Sequence, residues 1–383
     1  MQLDRITVHH VLLPFTQTFA HSLRKRFSVR NVVVEVVAEK GKIRGYGEGA
    51  PRSYVTGESQ ASVTQSIATF VRTQYFPWEF NEVTQIWDFI DSLPEGKEHN
   101  SALCALESAL LDALGRYQNR YLLDYFPQDF RINTFCYGAP LPLSGKEVTL
   151  LRCQTIKKMG IKKLKLKLGK DFQQNREIFE SVHHVLGEEY DLRVDVNCVW
   201  DTAIAKKHLP LLQKYGVRVV EQPTMTHDTQ LTEIADFYGY HGIILMADES
   251  ACTLEDVERL SQEGFYQMVN IRLSKCGGLR QSLRIIDYLR QREIDFQIGC
   301  HFGESGVLSA AGRVLCLLCG DALYYEGSYD EVLLARNITS ENVSFGPEGR
   351  AQPLTGPGLG IEVNRQDLHR LSNAAATFSP SRT

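Results

Sequence analysis

Along residues 161–168, "IKKLKLKL", lysine and leucine alternate with the period of two that a β-strand imposes. Lys163, Lys165 and Lys167 fall on one face, and Leu164, Leu166 and Leu168 on the other. Alone, such a segment is a half-buried edge strand whose lysines face water and guard against edge pairing. Its surroundings change that reading. From about residue 133 short apolar runs alternate with amphipathic stretches. The candidate strands are "NTFCYGA", "KKLKLKL", "LRVDVN", "VRVVEQP", "GIILMADES", "YQMVNIRLSK", "FQIGCHFGE" and "ALYYEGS". Segments such as "DFQQNREIFESVHHVLG" and "LRQSLRIIDYLRQR" lie between them with apolar residues at helical spacing. Eight strands with intervening helices over about 200 residues predict a (β/α)8-type barrel rather than an open sheet.

Residues 1 to about 130 are patterned differently. "NVVVEVVAE" reads as a strand, with the Gly-rich "GKIRGYGEGAPR" after it. "ESQASVTQSIATFVRTQYF" and "NSALCALESALLDALGRYQ" then read as helices. Strands followed by helices make an α+β unit. The end of the chain, "NAAATFSPSRT", is small and polar and reads as disordered.

Composition narrows the partners. A chain of 383 residues has room for one barrel and a smaller domain. Hydrophobic residues at 43% and charged residues at 23% are ordinary globular usage. A net charge of −4 with scattered basic residues argues against nucleic acid or an anionic membrane as partner. The opening "MQLDRITVHHVLLPF" lacks the layout of a signal peptide, and no apolar run approaches the roughly 20 residues of a membrane span. Nine widely spaced cysteines, an odd number, predict free thiols in a reducing cytoplasm. Cys316 and Cys319 form a CxxC, but no second pair follows at zinc spacing, and the leucines around them mark a buried helix face.

The chemistry lies at the strand ends. Lys167, Asp195, Glu221, Asp248 and Arg272 each close an apolar run, at intervals of 28, 26, 27 and 24 residues. That is the length of one βα unit, so the five side chains converge at the mouth of a parallel barrel. Three carboxylates packed together repel, and a divalent cation resolves the repulsion. Oxygen-only ligands favour Mg²⁺, one per chain, with Mn²⁺ as the substitute. The structural alternative is an ion-pair network in which Lys165 and Lys167 pair with Asp195. A lysine beside a dication and a second ammonium is a plausible base, its pKa pushed down by both. The expected reaction binds a substrate carboxylate, removes its α-proton with Lys167, and stabilises the enediolate electrostatically.

"KLKLKLG", "RVDVN", "VVEQP", "MADES", "NIRLSKCGGL" and "GPGLGIEV", in that order, resemble the enolase superfamily in its muconate lactonizing enzyme subgroup, within the wider mandelate racemase/muconate lactonizing enzyme family. The resemblance covers nearly the whole chain. It implies a modified TIM barrel, (β/α)7β, over 131–340. An α+β capping domain is built from 1–130 and from a C-terminal segment, 341–383, that returns to it. "GYGEGAPRSYVTGES" looks like part of that cap. Asp195, Glu221 and Asp248 match the Mg²⁺ ligands, with Glu249 as the competing choice beside Asp248. Asn197 matches an asparagine of the site just outside them. Lys165 and Lys167 match the KxK motif, in which the second lysine is the acid/base and the first tunes it.

The sixth strand departs from the pattern. The subgroup usually places a catalytic lysine where this chain has Arg272, and arginine is a poor base. Lys275, three residues on, matches a lysine often present but not the usual catalytic one. His301 falls near a catalytic histidine of the mandelate racemase group, and Glu304 matches a glutamate of the site. Dipeptide epimerases carry DxD on strand eight; here "YYEGS" offers only Glu326. Cap loops around 19–28 and 51–58 are expected over the mouth, with Arg24, Lys25 and Arg26 as candidates for a distal carboxylate and His21 and Tyr54 as further contacts.

The resemblance thus implies an isomerase or lyase acting on a small-molecule carboxylate, as a homo-oligomer. The preferred version uses one base, Lys167, as in muconate cycloisomerisation or an o-succinylbenzoate synthase-like syn dehydration. The first alternative is racemisation or epimerisation of an N-acyl amino acid or dipeptide, with Lys275 or His301 as second base. The other is a metal-binding protein that has lost catalysis.

Overall fold

The β-branched run "NVVVEVVA" forms the centre of an antiparallel sheet. The computed structural model describes residues 1–21, 24–341 and 343–380, with the side chains of 17–21 and 24–26 left out. In the cap, β1 (Leu3–His21), β2 (Arg24–Ala38) and β3 (Ile43–Gly49) stand in the sheet order β14-β1-β2-β3, where β14 is Ser372–Phe378. Residues 373–378 of the tail expected to be disordered therefore close this sheet, pairing antiparallel with β1 from Ile6↔Phe378 to Val11↔Ser372, while 381–383 lie outside the described residues. Helices α1 (Gln60–Val71) and α3 (Asn100–Gln118) pack on the sheet, and α2 (Val83–Asp91) packs on α3. The glycines of β3 set how close α3 comes. A Cβ at Gly45, Gly47 or Gly49 would lie 2.4, 2.1 or 2.2 Å from the carbonyl oxygens of Ala109, Ala105 and Ser101. These oxygens sit one helical turn apart, so the strand lies flat along the helix.

The barrel follows in the strand–helix alternation that the sequence predicts. A short pair precedes and follows it: β4 (Phe135–Cys136) runs antiparallel to β13 (Arg350–Ala351). The eight parallel strands are β5 (Ala139–Leu141), β6 (Lys163–Lys167), β7 (Asp191–Asp195), β8 (Val219–Glu221), β9 (Ile244–Ala247), β10 (Met268–Ile271), β11 (Asp295–Ile298) and β12 (Tyr324–Tyr325), neighbours in chain order. The first barrel strand begins at Ala139, where the expected run "NTFCYGA" ends; Phe135 and Cys136 serve β13 instead. Gly138 N donates to Tyr325 O at 2.8 Å, joining the first strand to the last. The connecting helices are α4 (Lys146–Met159), α5 (Phe172–Leu186), α6 (Thr202–Lys214), α7 (Leu231–Tyr240), α8 (Leu254–Glu263), α9 (Leu279–Gln291) and α10 (Gly306–Leu318). Two short helices follow, α11 (Asp330–Leu333) and α12 (Arg365–Leu371). No described helix is long and apolar enough to cross a membrane.

Two buried carboxylates join the cap to the barrel, and a third closes the cap on its C-terminal segment. Glu48 on β3 accepts from Ser305 N, Ser305 Oγ and Leu308 N, at the start of α10. Glu107 on α3 accepts from Leu279 N at 2.6 Å and Arg280 N at 2.9 Å, at the start of α9. Each carboxylate thus satisfies backbone donors that a helix N-terminus leaves open. Asp112 ties the returning segment "GPGLG" down, accepting from Leu359 N at 2.8 Å and from Tyr46 N at 2.9 Å.

Candidate active site

Register assembles the site. Lys165 lies opposite Arg193, Lys167 opposite Asp195, and Asp195 opposite Glu221. With a period of two, each strand sends a lower and an upper side chain into the barrel. Val219, Met246, Met268 and Tyr324 form an apolar plug at the bottom. Above it the interior is polar: Lys165, Arg193, Glu221, Asn270 and Gln297 are buried, as are Asp195, Asp248 and His301 nearer the mouth.

Lys165 is 4% exposed. Its Nζ lies 2.6 Å from Glu326 Oε2, 3.1 Å from Glu221 Oε2 and 3.9 Å from Asp195 Oδ2. Burial works against its charge, but Glu221, Glu326 and Asp195 outweigh burial and hold its pKa above the ordinary lysine value. Lys167 sits higher, with 28% of its side chain exposed. It donates to Asp195 Oδ2 at 2.9 Å and to Asn197 Oδ1 at 2.8 Å. Asn197 has φ +45° and donates its own N to Asp195 Oδ1 at 3.0 Å, a local turn that asparagine tolerates. Burial raises the pKa of Asp195, but the ammoniums of Lys167 and Lys165 prevail and hold it below the usual carboxylate range. The ion-pair network expected as the structural alternative is therefore formed around the same lysines.

On the other side, Asn270 Nδ2 donates to Glu221 Oε1 at 2.8 Å. The loop after β9 is fixed by Gln222, whose Oε1 accepts from Asp248 N at 2.9 Å and Ser250 N at 3.1 Å. Arg272 pairs through Nη2 with Asp248 Oδ2 and lies 3.6 Å from Glu221 Oε1, so one guanidinium bridges two of the three expected ligands. Lys275 is fully buried. Its Nζ donates to Asn270 O at 2.6 Å and Asp248 O at 2.7 Å and lies 3.2 Å from Asp248 Oδ1, so its donors are all engaged. Burial lowers its pKa. Glu249 is pushed up to about 7 by burial and by the charge of Asp195. Its Oε1 lies 3.4 Å from Asn197 Nδ2.

His301 is buried, with Nδ1 3.8 Å from Glu304 Oε1 and making no hydrogen bond. Burial, then the charges of Arg272 and Arg52, push it well below the ordinary histidine value, so the ring is neutral. Glu304 accepts from His301 N and is raised to about 8 by burial. Tyr54 is 53% exposed on a cap loop. The side chains of His21, Arg24, Lys25 and Arg26 lie outside the described ones. Arg193, Asn270 and the double engagement of Glu326 were not singled out from sequence. Arg193 Nη2 holds Glu326 Oε1 at 2.5 Å. The signal was present: Arg193 and Asn270 stand two residues before Asp195 and Arg272, on the same strand face.

Among the described residues no three His, Cys, Asp or Glu side chains are gathered as a metal site in the present arrangement. The donors nonetheless fit a hard cation. Both carboxylate oxygens of Asp248, and Oε2 of Glu221, are buried without a hydrogen-bond donor. They are met only by neighbouring cations. Oxygen-only donors of this kind suit Mg²⁺ or Mn²⁺.

A barrel of this order with lysines and carboxylates at its mouth defines an enolase-type architecture. The chain belongs to the Enolase C-terminal domain-like family, whose profile matches residues 150–367. It is an enzyme of the enolase superfamily, and its curated relatives are mostly isomerases. The hydrophobic dipeptide epimerase of Enterococcus faecalis is 26% identical over 98% of both chains. The L-Ala-D/L-Glu epimerase of Clostridium acetobutylicum is 27% identical over 94% of this chain and 99% of that one. The o-succinylbenzoate synthase of Bacillus subtilis is 23% identical over 97% and 96%. Among solved structures, the N-succinyl Arg/Lys racemase of Bacillus cereus superposes with TM-score 0.84 at 23% identity, covering 99% of each chain.

Proposed function

We propose that this enzyme moves a proton at the carbon α to a substrate carboxylate, removing it in a dehydration and delivering it in a cycloisomerisation, with Lys167 as its single acid/base. The observation that carries this reading is the contrast among the cations of the site. Lys167 is partly exposed at the mouth, Lys275 is sealed among its acceptors, and position 272 holds a guanidinium. Lys167 on β6 and Arg272 just beyond β10 stand across the mouth, with β7, β8 and β9 between them on one side. A base therefore faces one side of the bound substrate and a permanent cation the other.

Asp195, Glu221 and Asp248 would hold one Mg²⁺ or Mn²⁺ per chain, which supplies Lewis-acid stabilisation of the enediolate. The protein's own groups do the rest. Asn197 and Asp195 aim the Lys167 ammonium. Lys165 holds Glu221, Glu326 and Asp195 in place. Arg272 offers charge stabilisation without taking a proton. One-base chemistry suits cycloisomerisation of a muconate-type diacid or an o-succinylbenzoate synthase-like syn dehydration. Nine free cysteines suit a reducing cytoplasm.

The names of the relatives favour a second reading, epimerisation of a dipeptide or racemisation of an N-acylated amino acid, with neutral His301 as the second base. A free dipeptide fits less well. Both oxygens of Glu326, the acidic residue that strand eight offers, are held by Lys165 and Arg193, leaving no carboxylate there for a substrate ammonium.

Proton NMR in D₂O with Mg²⁺ tests this on a panel of cis,cis-muconate, the o-succinylbenzoate precursor, N-succinyl amino acids and dipeptides. The expected outcome is a cyclised or dehydrated product, or deuterium entering the α-position with retained configuration. Deuterium with inversion would overturn the one-base reading in favour of His301.

A further inference from the structure

We propose that Arg272 and the divalent cation exchange places: the guanidinium holds Asp248 and Glu221 when the ion is away, and the ion must displace it to bind. The inference rests on the reading that Asp195, Glu221 and Asp248 are the cation's ligands. Three observations carry it. First, Arg272 Nη2 pairs with Asp248 Oδ2 and stands 3.6 Å from Glu221 Oε1, which is the space between two of those ligands. Second, Arg272 has little else to hold it. Its Nε makes no hydrogen bond, and its side chain keeps 12% exposure toward the mouth. Asp248, by contrast, keeps Lys275 at 3.2 Å whatever Arg272 does.

The third is charge. Asp195, Glu221, Asp248, Glu249 and Glu326 face Lys165, Lys167, Arg193, Arg272 and Lys275. With every group ionised the count is even. A dication adds two positive charges to a buried site, so one fixed cation must leave or anionic charge must enter. Lys167 and Arg272 are the cations with an open side, and of the two Arg272 is the one that stands between Asp248 and Glu221. A lysine at this position, the residue usual in the subgroup, presents a compact ammonium on a flexible stem instead of a planar fork, and so yields the space between the two carboxylates more readily. The arginine therefore makes ion binding weaker here. It also couples loading to the arrival of an anionic group for the released guanidinium.

Mn²⁺ binding to the full chain, followed by the EPR signal of the free ion at fixed pH and ionic strength, tests the exchange. Wild type, Arg272→Lys and Arg272→Met are compared. Exchange predicts that Arg272→Lys, which keeps the charge, binds Mn²⁺ at least fivefold more tightly than wild type, and that Arg272→Met binds tighter still. If Arg272→Lys matches wild type, the exchange is overturned, even if Arg272→Met gains affinity, because removal of charge alone then explains the gain. If no variant binds Mn²⁺ although each melts cooperatively, the cation reading itself fails, and the exchange fails with it. Arg272→Lys guards against a folding defect, because it leaves a cation beside Asp248.

Discussion

Lys167 and Lys165 are two residues apart and face different fates on substitution. Lys167 is partly exposed and holds two partners, so Lys167→Ala should leave the melting temperature nearly unchanged. It should lower turnover by about 10²–10⁴-fold, the usual worth of a positioned acid/base. Lys165 is sealed among three carboxylates. Lys165→Met strands them, and urea unfolding should show a loss of about 3–5 kcal/mol, the cost of breaking a buried pair from one side. Asp195→Asn should abolish Mg²⁺-dependent turnover, and any Mg²⁺-driven rise in melting temperature with it; a chain that had lost catalysis would show no turnover to abolish. That Lys167, Asp195, Glu221 and Asp248 come together at the mouth was legible because strand phase and βα spacing are both written in the sequence. The seclusion of Lys275 was not. A turn after Arg272, in which the N–H groups of Lys275 and Cys276 both return to Arg272 O, folds that lysine beneath the mouth. Strand alternation cannot forecast a turn that begins one residue past the strand.

At the scale of elements, α9 begins on a buried carboxylate. Glu107 is held to about 7 by burial, against an ordinary value of 4.5. Below pH 4.5 it is protonated whether the chain is folded or not. Between 4.5 and 7 the unfolded chain ionises first, so stability falls as pH rises through that window and levels off above it. Glu58, also raised to about 7, adds a loss of the same sign. Glu107→Gln should therefore flatten the decline in melting temperature between pH 5 and 7 without removing it. Gly47→Ala should cost about 1–3 kcal/mol in urea unfolding, because its Cβ has no room beneath Ala105 O. Most barrel strands were readable from apolar runs bounded by turn residues. β3 was not, because its alternate positions are glycines that touch α3 and carry no hydrophobic signal. β14 was hidden for the opposite reason: its side chains are mostly exposed, so no alternation marks a buried face.

At the scale of the molecule, the architecture was legible because motif order and spacing repeat along the whole chain. The joints were not, because each is a long-range contact. Glu48 meets Ser305, and Asp112 meets Leu359, across more than 240 residues. A chain truncated after Leu371 should keep its barrel residues yet melt earlier and aggregate on heating, measured by light scattering. It would lose the partner of β1 from Ile6 to Val11. That same pairing bears on how the chain is made. β1 leaves the ribosome roughly 350 residues before β14, which at about 5–20 residues per second is a delay on the order of tens of seconds. Through that interval the outer edge of an apolar strand has no partner of its own. Until residues 372–378 have emerged that edge stays open to other strands, and the last seam of the cap cannot close.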